Sequence, residues 1–295
     1  MPTVAAASLV MLSLLLGSVE ADEAIKVTPN LTYAKVGEVR LQLDLARPAE
    51  GNGPFPCIVF IHGGGWAGGN RHAFRNQMEA AARRGYVAAT ISYRLTQTDP
   101  TTRAPQSPFP AQIHDCKAAV RWLRAHAAEY RIDPRRIAAV GASAGGHLSL
   151  LLGLTSADDQ LEGDLGNPGE SSRVQAVVNY FGPTDLASLY RSAPAVVGML
   201  KALCVGTPEE AAAAYDLASP INYVTADDPP ILTLQGDIDK IVPMEQARLL
   251  DARLQEVGVK HSLRVFPGQG HGFDGETTKA ADSAAWEFLA EHLGG

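Results

Sequence analysis

Beyond Pro56 the chain alternates short, continuous apolar runs with stretches of helical periodicity, and this alternation restricts the possible folds more than any other feature. The runs are "CIVFIH", "YVAATISY", "RIAAV", "VQAVVNYFG", "PILTLQG" and "HSLRVF". Between and after them lie helical patterns over Ala73 to Arg84, over Ala111 to Tyr130, in the segment after Ser143, in an Ala-rich region, over Met244 to Val257, and in a C-terminal stretch through His292. A strand that is apolar at every position must be covered on both faces, and strands separated by helices join in parallel. The pattern therefore predicts an α/β fold: a mostly parallel twisted sheet with helices on both faces. Ahead of it, Val39 to Leu45 alternates apolar and polar residues, as a half-exposed antiparallel strand near the N-terminal edge would. With 46% hydrophobic and 19% charged residues in 295, the chain has enough apolar material for one large domain.

In a parallel sheet of this kind, sites form at the carboxyl ends of the strands. The residues just after each run are therefore informative. "RIAAV" runs into Gly141-Ala142-Ser143-Ala144-Gly145, after which Leu148, Leu151 and Leu152 recur at helical spacing and Gly153 offers a stop. This is G-x-S-x-G, a sharp strand-to-helix turn in which the positions two before and two after the serine must be small because the backbone folds back on itself. A tight packing turn is the plainer alternative. "CIVFI" is followed by "HGGGWAGG", His62 to Gly69, whose glycines leave backbone N–H groups open to a ligand. A phosphate loop would need G-x-G-x-x-G or a G-K-[ST] ending, and neither is present. "ILTLQG" leads to Asp237 and Asp239, and "LRVFPG" leads to His271. Ser, Asp and His thus come after three different strands in that order.

Charge and composition narrow the partners. A formal net charge of -7 without a Lys/Arg run excludes nucleic acid and anionic membrane surfaces as main partners. The histidines form no H-x-H or H-E-x-x-H and there is no C-x-x-C, so neither a metal nor a cofactor is expected. Cys57, Cys116 and Cys204 permit at most one bridge, and Cys57 and Cys116 read as buried small hydrophobes. An apolar segment from Val4 to Leu16, with small residues up to Ala21, resembles a signal peptide. The expectation is a signal peptide at 1–21 and a catalytic domain at 22–295, exported to the periplasm or beyond, without a stable membrane span. An uncleaved anchor is the alternative.

Taken together, "HGGGW" and "GASAGGH" resemble the α/β-hydrolase superfamily and its esterase branches. "YFGPTDL" and "GDIDKIVP" are most similar to the bifunctional acetylxylan esterase/feruloyl esterase-like carboxylesterases. Ala142 departs from the G-D-S-A-G-G pattern of the hormone-sensitive lipase-like branch. The resemblance implies a serine esterase: Ser143 as nucleophile, His271 as base, and Asp239 rather than Asp237 as the acid, by the spacing G-x-x-D-x-x-V-P. It also implies an oxyanion hole from the N–H groups of Gly64, Gly65 and Ala144, with His62 shaping the loop. Trp66 is a candidate pocket wall or core indole. Arg94 to Pro110 and Asp185 to Tyr223 are candidate lids, while Asp115, Arg121 and Trp122 read as structural. The expected substrate is a short-chain ester, small or carried on a polysaccharide. A secreted peptidase with the same triad and a non-catalytic binding protein are the alternatives.

Overall fold

The computed structural model describes residues 24–102 and 104–294. The expected signal peptide and its cleavage site lie outside them. Among the described residues the chain runs β1 (Ile25–Val36), β2 (Val39–Pro48), β3 (Phe55–Ile61), α1 (Arg75–Arg83), β4 (Val87–Ile91), a small hairpin of β5 (Gln97–Thr98) and β6 (Pro105–Gln106), α2 (Ala111–Ala125) and α3 (Ala127–Tyr130). It continues through β7 (Ile132–Ala142), α4 (Ala144–Leu154), β8 (Ala176–Tyr180), α5 (Leu186–Ser192), α6 (Val197–Cys204), α7 (Ala212–Ala218), β9 (Ile231–Gly236), α8 (Met244–Val257), β10 (His261–Phe266) and α9 (Gly275–Leu293).

Eight of these strands form one sheet in the order β1-β2-β4-β3-β7-β8-β9-β10. β1 and β2 are antiparallel to their neighbours, and from β4 to β10 every pairing is parallel. The apolar runs of the inner strands β3, β4, β7, β8 and β9 are continuous because each of these strands feeds two cores, whereas β10 at the sheet edge is partly exposed along its length. In β3, Cys57, Val59 and Ile61 join the core under α2 and α4, while Ile58 and Phe60 join the core under α1 and α9. α9 enters the second core through Ala281, Ala284 and Ala285 and, toward its end, Leu289 and Leu293.

Three details differ from the sequence-based expectation. β2 is antiparallel and near the edge as expected, next to the outermost β1, but its polar Asp44 is buried rather than solvated. Arg71 Nε at 2.9 Å and the Asn30 N–H at 2.8 Å both donate to Asp44 Oδ1 and offset the cost of burying it. The 111–130 helical pattern divides at His126 into α2 and α3. Gly153 does not stop α4, which continues to Leu154 and is buried along its whole length. A Cβ at Gly153 would stand 2.5 Å from Val177 Cγ2 on β8, so this glycine sets the distance between helix and sheet.

The residues read as structural are so. Asp115, fully buried on α2, accepts from Arg94 Nε and Nη2 and from the Arg94 N–H. Arg121 Nη2 donates to the Leu165 carbonyl at 2.6 Å, and Trp122 stacks on His126 with ring centroids 4.0 Å apart. All three cysteines are free and buried, and no described helix is long and apolar enough to cross a membrane.

Gly153→Ala provides a test of the helix–sheet distance. The substitution gains about 1 kcal/mol in helix propensity but must displace Val177, at a cost of roughly 1–3 kcal/mol. The variant should have a lower urea midpoint. Adding Val177→Ala should give a double variant that is less destabilised than the sum of the two single changes.

Candidate active site

The turn after β7 is tight and strained. Ser143 holds φ 56° and ψ −121°, a conformation that is strained for any residue with a side chain. A Cβ at Gly145 would collide with the Ile61 carbonyl of β3, and one at Gly141 with the Gly145 carbonyl. The small residues expected on either side of the serine are thus required by backbone contacts. The Ser143 N–H donates to the Tyr180 carbonyl at the end of β8 (2.9 Å), which fixes the turn between its two neighbouring strands.

At Ser143 three strand ends converge. Ser143 Oγ lies 2.8 Å from His271 Nε2, and His271 Nδ1 lies 2.7 Å from Asp239 Oδ2. A carboxylate can only accept, so Nδ1 carries the ring proton and Nε2 presents its lone pair to the hydroxyl. Asp239 is buried and held in place by the Ile241 and Val242 N–H groups, at 2.8 and 3.0 Å from Oδ1, and by Gln235 Nε2 at 3.4 Å from Oδ2. Asp237, by contrast, is exposed and accepts from the Gly268 N–H at 2.6 Å. Of the two acids that stand after β9, Asp239 is the one that reaches the histidine.

The glycine loop lies against the same turn. A Cβ on Gly63 would stand 2.8 Å from the Ala142 carbonyl, and Gly64 and Gly65 both have positive φ. Ala144 opens α4, so its N–H lies in the first turn, where helical N–H groups have no intrahelical acceptor. His62 shapes the loop from below: its ring stacks on Tyr93 with centroids 4.3 Å apart, and its carbonyl accepts from the Tyr93 hydroxyl at 2.9 Å. Burial pushes the His62 imidazole pKa below its ordinary value.

These groups open on a mostly apolar cavity of about 440 Å³. Gly64, Gly65, Trp66, Ser143, Ala144 and His271 all line it, so the structure brings together every candidate residue, with Asp239 behind the histidine. Of the two candidate lids, only the second covers the cavity, through Leu189, Val196 and Met199 of the α5–α6 region. No described residue of the 94–110 segment lines it: Arg94 is turned toward Asp115, Gln97–Thr98 and Pro105–Gln106 form a hairpin, and the Thr96 N–H meets the cavity wall only from behind, at the Trp66 carbonyl.

Neither Phe181 nor Met199 stands out in the sequence, although Met199 falls within the candidate lid Asp185 to Tyr223. Phe181 has φ 41° and its ring lies 4.8 Å from the His271 ring. Met199 Sδ occupies the space that a Cβ on Gly65 would need. The positive φ of Phe181 leaves no mark on residue type, and Met199 reaches the glycine loop from a helix more than a hundred residues away in sequence.

A crossover sheet with this turn after its fifth large-sheet strand, and with an acid and a histidine after later strands, is the α/β-hydrolase fold. The chain belongs to the BD-FAE family, whose model matches residues 43–254. It is 36% identical over 230 residues to Esterase LipC of Mycobacterium tuberculosis, an alignment that covers 75% of this chain and 54% of LipC. The chain spans little more than half the length of the curated relatives it matches. Among solved structures, a truncated carbohydrate esterase from gut microbiota superposes with a TM-score of 0.77 at 32% identity, covering 92% of this chain and 99% of that one. The butyrate-bound thermophilic esterase of Thermogutta terrifontis superposes with a TM-score of 0.75 at 30% identity, covering 91% and 94%.

One buried histidine of this region gives stability a pH dependence. His147, fully buried on α4, has its pKa pushed down to about 4 by burial, against a smaller upward pull from the Ala218 carbonyl. In the unfolded chain a histidine takes up its proton near 6.5. Between these values the unfolded state binds more protons, so this contribution is fully present above about pH 6.5 and is lost as pH falls toward 4. The loss totals roughly 3 kcal/mol at about 1.4 kcal/mol per unit. Urea unfolding at pH 7 and pH 4 should show His147→Asn losing less stability than the parent over that interval, by about this amount.

Proposed function

We propose that the protein is a serine carboxylesterase acting on short-chain esters. The single observation that carries this reading is the hydrogen-bonded chain Ser143–His271–Asp239 opening on an apolar cavity. In the reaction, Ser143 Oγ attacks the ester carbonyl carbon while His271 Nε2 accepts the hydroxyl proton. The N–H groups of Gly64, Gly65 and Ala144 hold the oxyanion, each donor contributing on the order of 100-fold or more in rate. Collapse of the tetrahedral intermediate breaks the ester C–O bond, and the alcohol leaves with the proton from His271. Water then attacks the acyl-serine with His271 again as base. Asp239 keeps the ring proton on Nδ1 throughout.

Acyl size follows from the cap. A cavity of about 440 Å³ is at the small end for a ligand site, must hold both sides of the ester bond, and is walled on one side by Leu189, Val196 and Met199. The polar composition of residues 94–110 has no direct bearing on this, since none of its described residues lines the cavity. The likeness to a carbohydrate esterase and to an esterase with butyrate bound supports a small acyl group. An ester borne on a polysaccharide and export of a chain beginning at Asp22 belong to the same proposal.

Ser143→Ala should abolish hydrolysis of p-nitrophenyl acetate while preserving the unfolding transition. Full turnover in that variant would overturn the mechanism. Asp239→Asn should reduce turnover on the order of 10⁴-fold through the wrong tautomer, and Asp237→Asn far less. Across an acyl series, kcat/KM should peak at acetate to butyrate, in graded steps set by the ~0.8 kcal/mol of each buried methylene. A steady rise to palmitate would make the protein a lipase, and preference for aminoacyl anilides would make it a peptidase.

A further inference from the structure

His147 is polar in a helix that is otherwise almost wholly apolar and buried, with Leu148, Leu150, Leu151 and Leu152 following it. A leucine there would avoid the cost of desolvating an imidazole, which is recovered only if both ring nitrogens are bonded. Both are. Nε2 lies 2.7 Å from the Ala218 carbonyl, which can only accept, so Nε2 carries the proton. Nδ1 is therefore a bare lone pair, and it accepts from Trp66 Nε1 at 3.2 Å, with the two rings edge-to-face at 5.2 Å. A single tautomer satisfies both neighbours.

Trp66 directly follows Gly65 in the glycine loop and has φ 58°, in the left-handed region where a tryptophan is strained. Its carbonyl accepts from the Thr96 N–H at 2.8 Å, so the residue is pinned at the main chain on one side and at the indole on the other. The far end of the histidine is anchored as well. Ala218 ends α7, and the adjoining Ser219 Oγ accepts from the Leu186 N–H at 3.0 Å and donates to the Tyr215 carbonyl at 2.7 Å. The connection thus runs from the glycine loop through Trp66 and His147 into the cap, whose Leu189 lines the cavity.

We propose that His147 is a positioning residue for the oxyanion site: by accepting from the Trp66 indole it holds the Gly64–Gly65 main chain where its N–H groups meet the developing oxyanion. This rests on the proposed esterase function. His147 touches no reacting atom, and its effect reaches the chemistry only through Trp66. Because oxyanion donors act on the transition state rather than on the bound ester, releasing the indole should lower kcat and leave KM nearly unchanged.

The test uses Trp66→Phe, which removes the indole N–H and keeps a ring, together with His147→Leu and His147→Asn, the last retaining an acceptor near Nδ1. Rates are expressed per active site, counted by organophosphate titration, so that misfolded protein does not contribute. Trp66→Phe and His147→Leu should each lower kcat about 10- to 100-fold with KM within about threefold. The inhibition constant of a trifluoromethyl ketone, whose adduct oxygen occupies the oxyanion position, should weaken by the same factor as kcat. His147→Asn should recover most of the rate, and the double variant Trp66→Phe/His147→Leu should be no slower than the worse single one. Unchanged kcat per site in Trp66→Phe overturns the proposal, as does a loss shared equally by KM and the ketone. If His147→Leu does not fold, Trp66→Phe and His147→Asn still decide the matter. Ser143→Ala that remains active would defeat the esterase reading itself, whereas an inactive Ser143→Ala beside fully active His147 and Trp66 variants defeats only this inference.

Discussion

The close approach of two backbones governs this structure. Gly145, in the first turn of α4, lies so near the Ile61 carbonyl of β3 that even a methyl group cannot be admitted between them. That contact sets how steeply the chain turns after β7, holds Ser143 in its strained conformation, and brings the glycine loop beyond β3 against the serine. Strain of this sort costs of order 1–3 kcal/mol and persists only where the surroundings enforce it. Here the enforcement comes from the Tyr180 carbonyl on one side, β3 on the other, and a helix behind that is packed on every face.

The strands and most helices were legible because their chemistry is local. The runs around Cys57, Val140 and Leu232 are apolar at consecutive positions, and the parallel sheet follows from that alone. α8 has the bounds its periodicity indicates, Met244 to Val257. Periodicity failed where a residue's role depends on something distant. Gly153 reads as a helix stop until Val177 is placed beside it, and Asp44 reads as solvated until Arg71 crosses over it. The outer strand β1 escaped notice because its pattern is mixed, with both faces partly exposed at the sheet's edge.

The candidate site divides along the same line. Ser143, His271 and the glycines could be found because each comes directly after a strand, and a parallel sheet gathers strand ends at one edge. The spacing G-x-x-D-x-x-V-P pointed to Asp239 over Asp237, and the loop supplies the physical reason: its backbone turns Asp239 inward onto the Ile241 and Val242 N–H groups and leaves Asp237 at the surface. The lid was legible as a segment, since Leu189, Val196 and Met199 all fall within Asp185 to Tyr223, but which of its side chains meet the cavity was not, because no local pattern encodes how its helices are placed. The polar, proline-rich 94–110 segment had the composition of a lid, but its described residues form a hairpin that braces Trp66 from behind through Thr96 and does not line the cavity.

α4 is eleven residues long and has no solvent-facing side. At 1.5 Å per residue it is a rod of about 16 Å, with the serine at one end and Leu154 at the other. Its serine end is seated against the Ile61 carbonyl and its flanks lie on β7 and β8, so the place of the hydroxyl is set by the packing of the whole rod as much as by the turn that bears it.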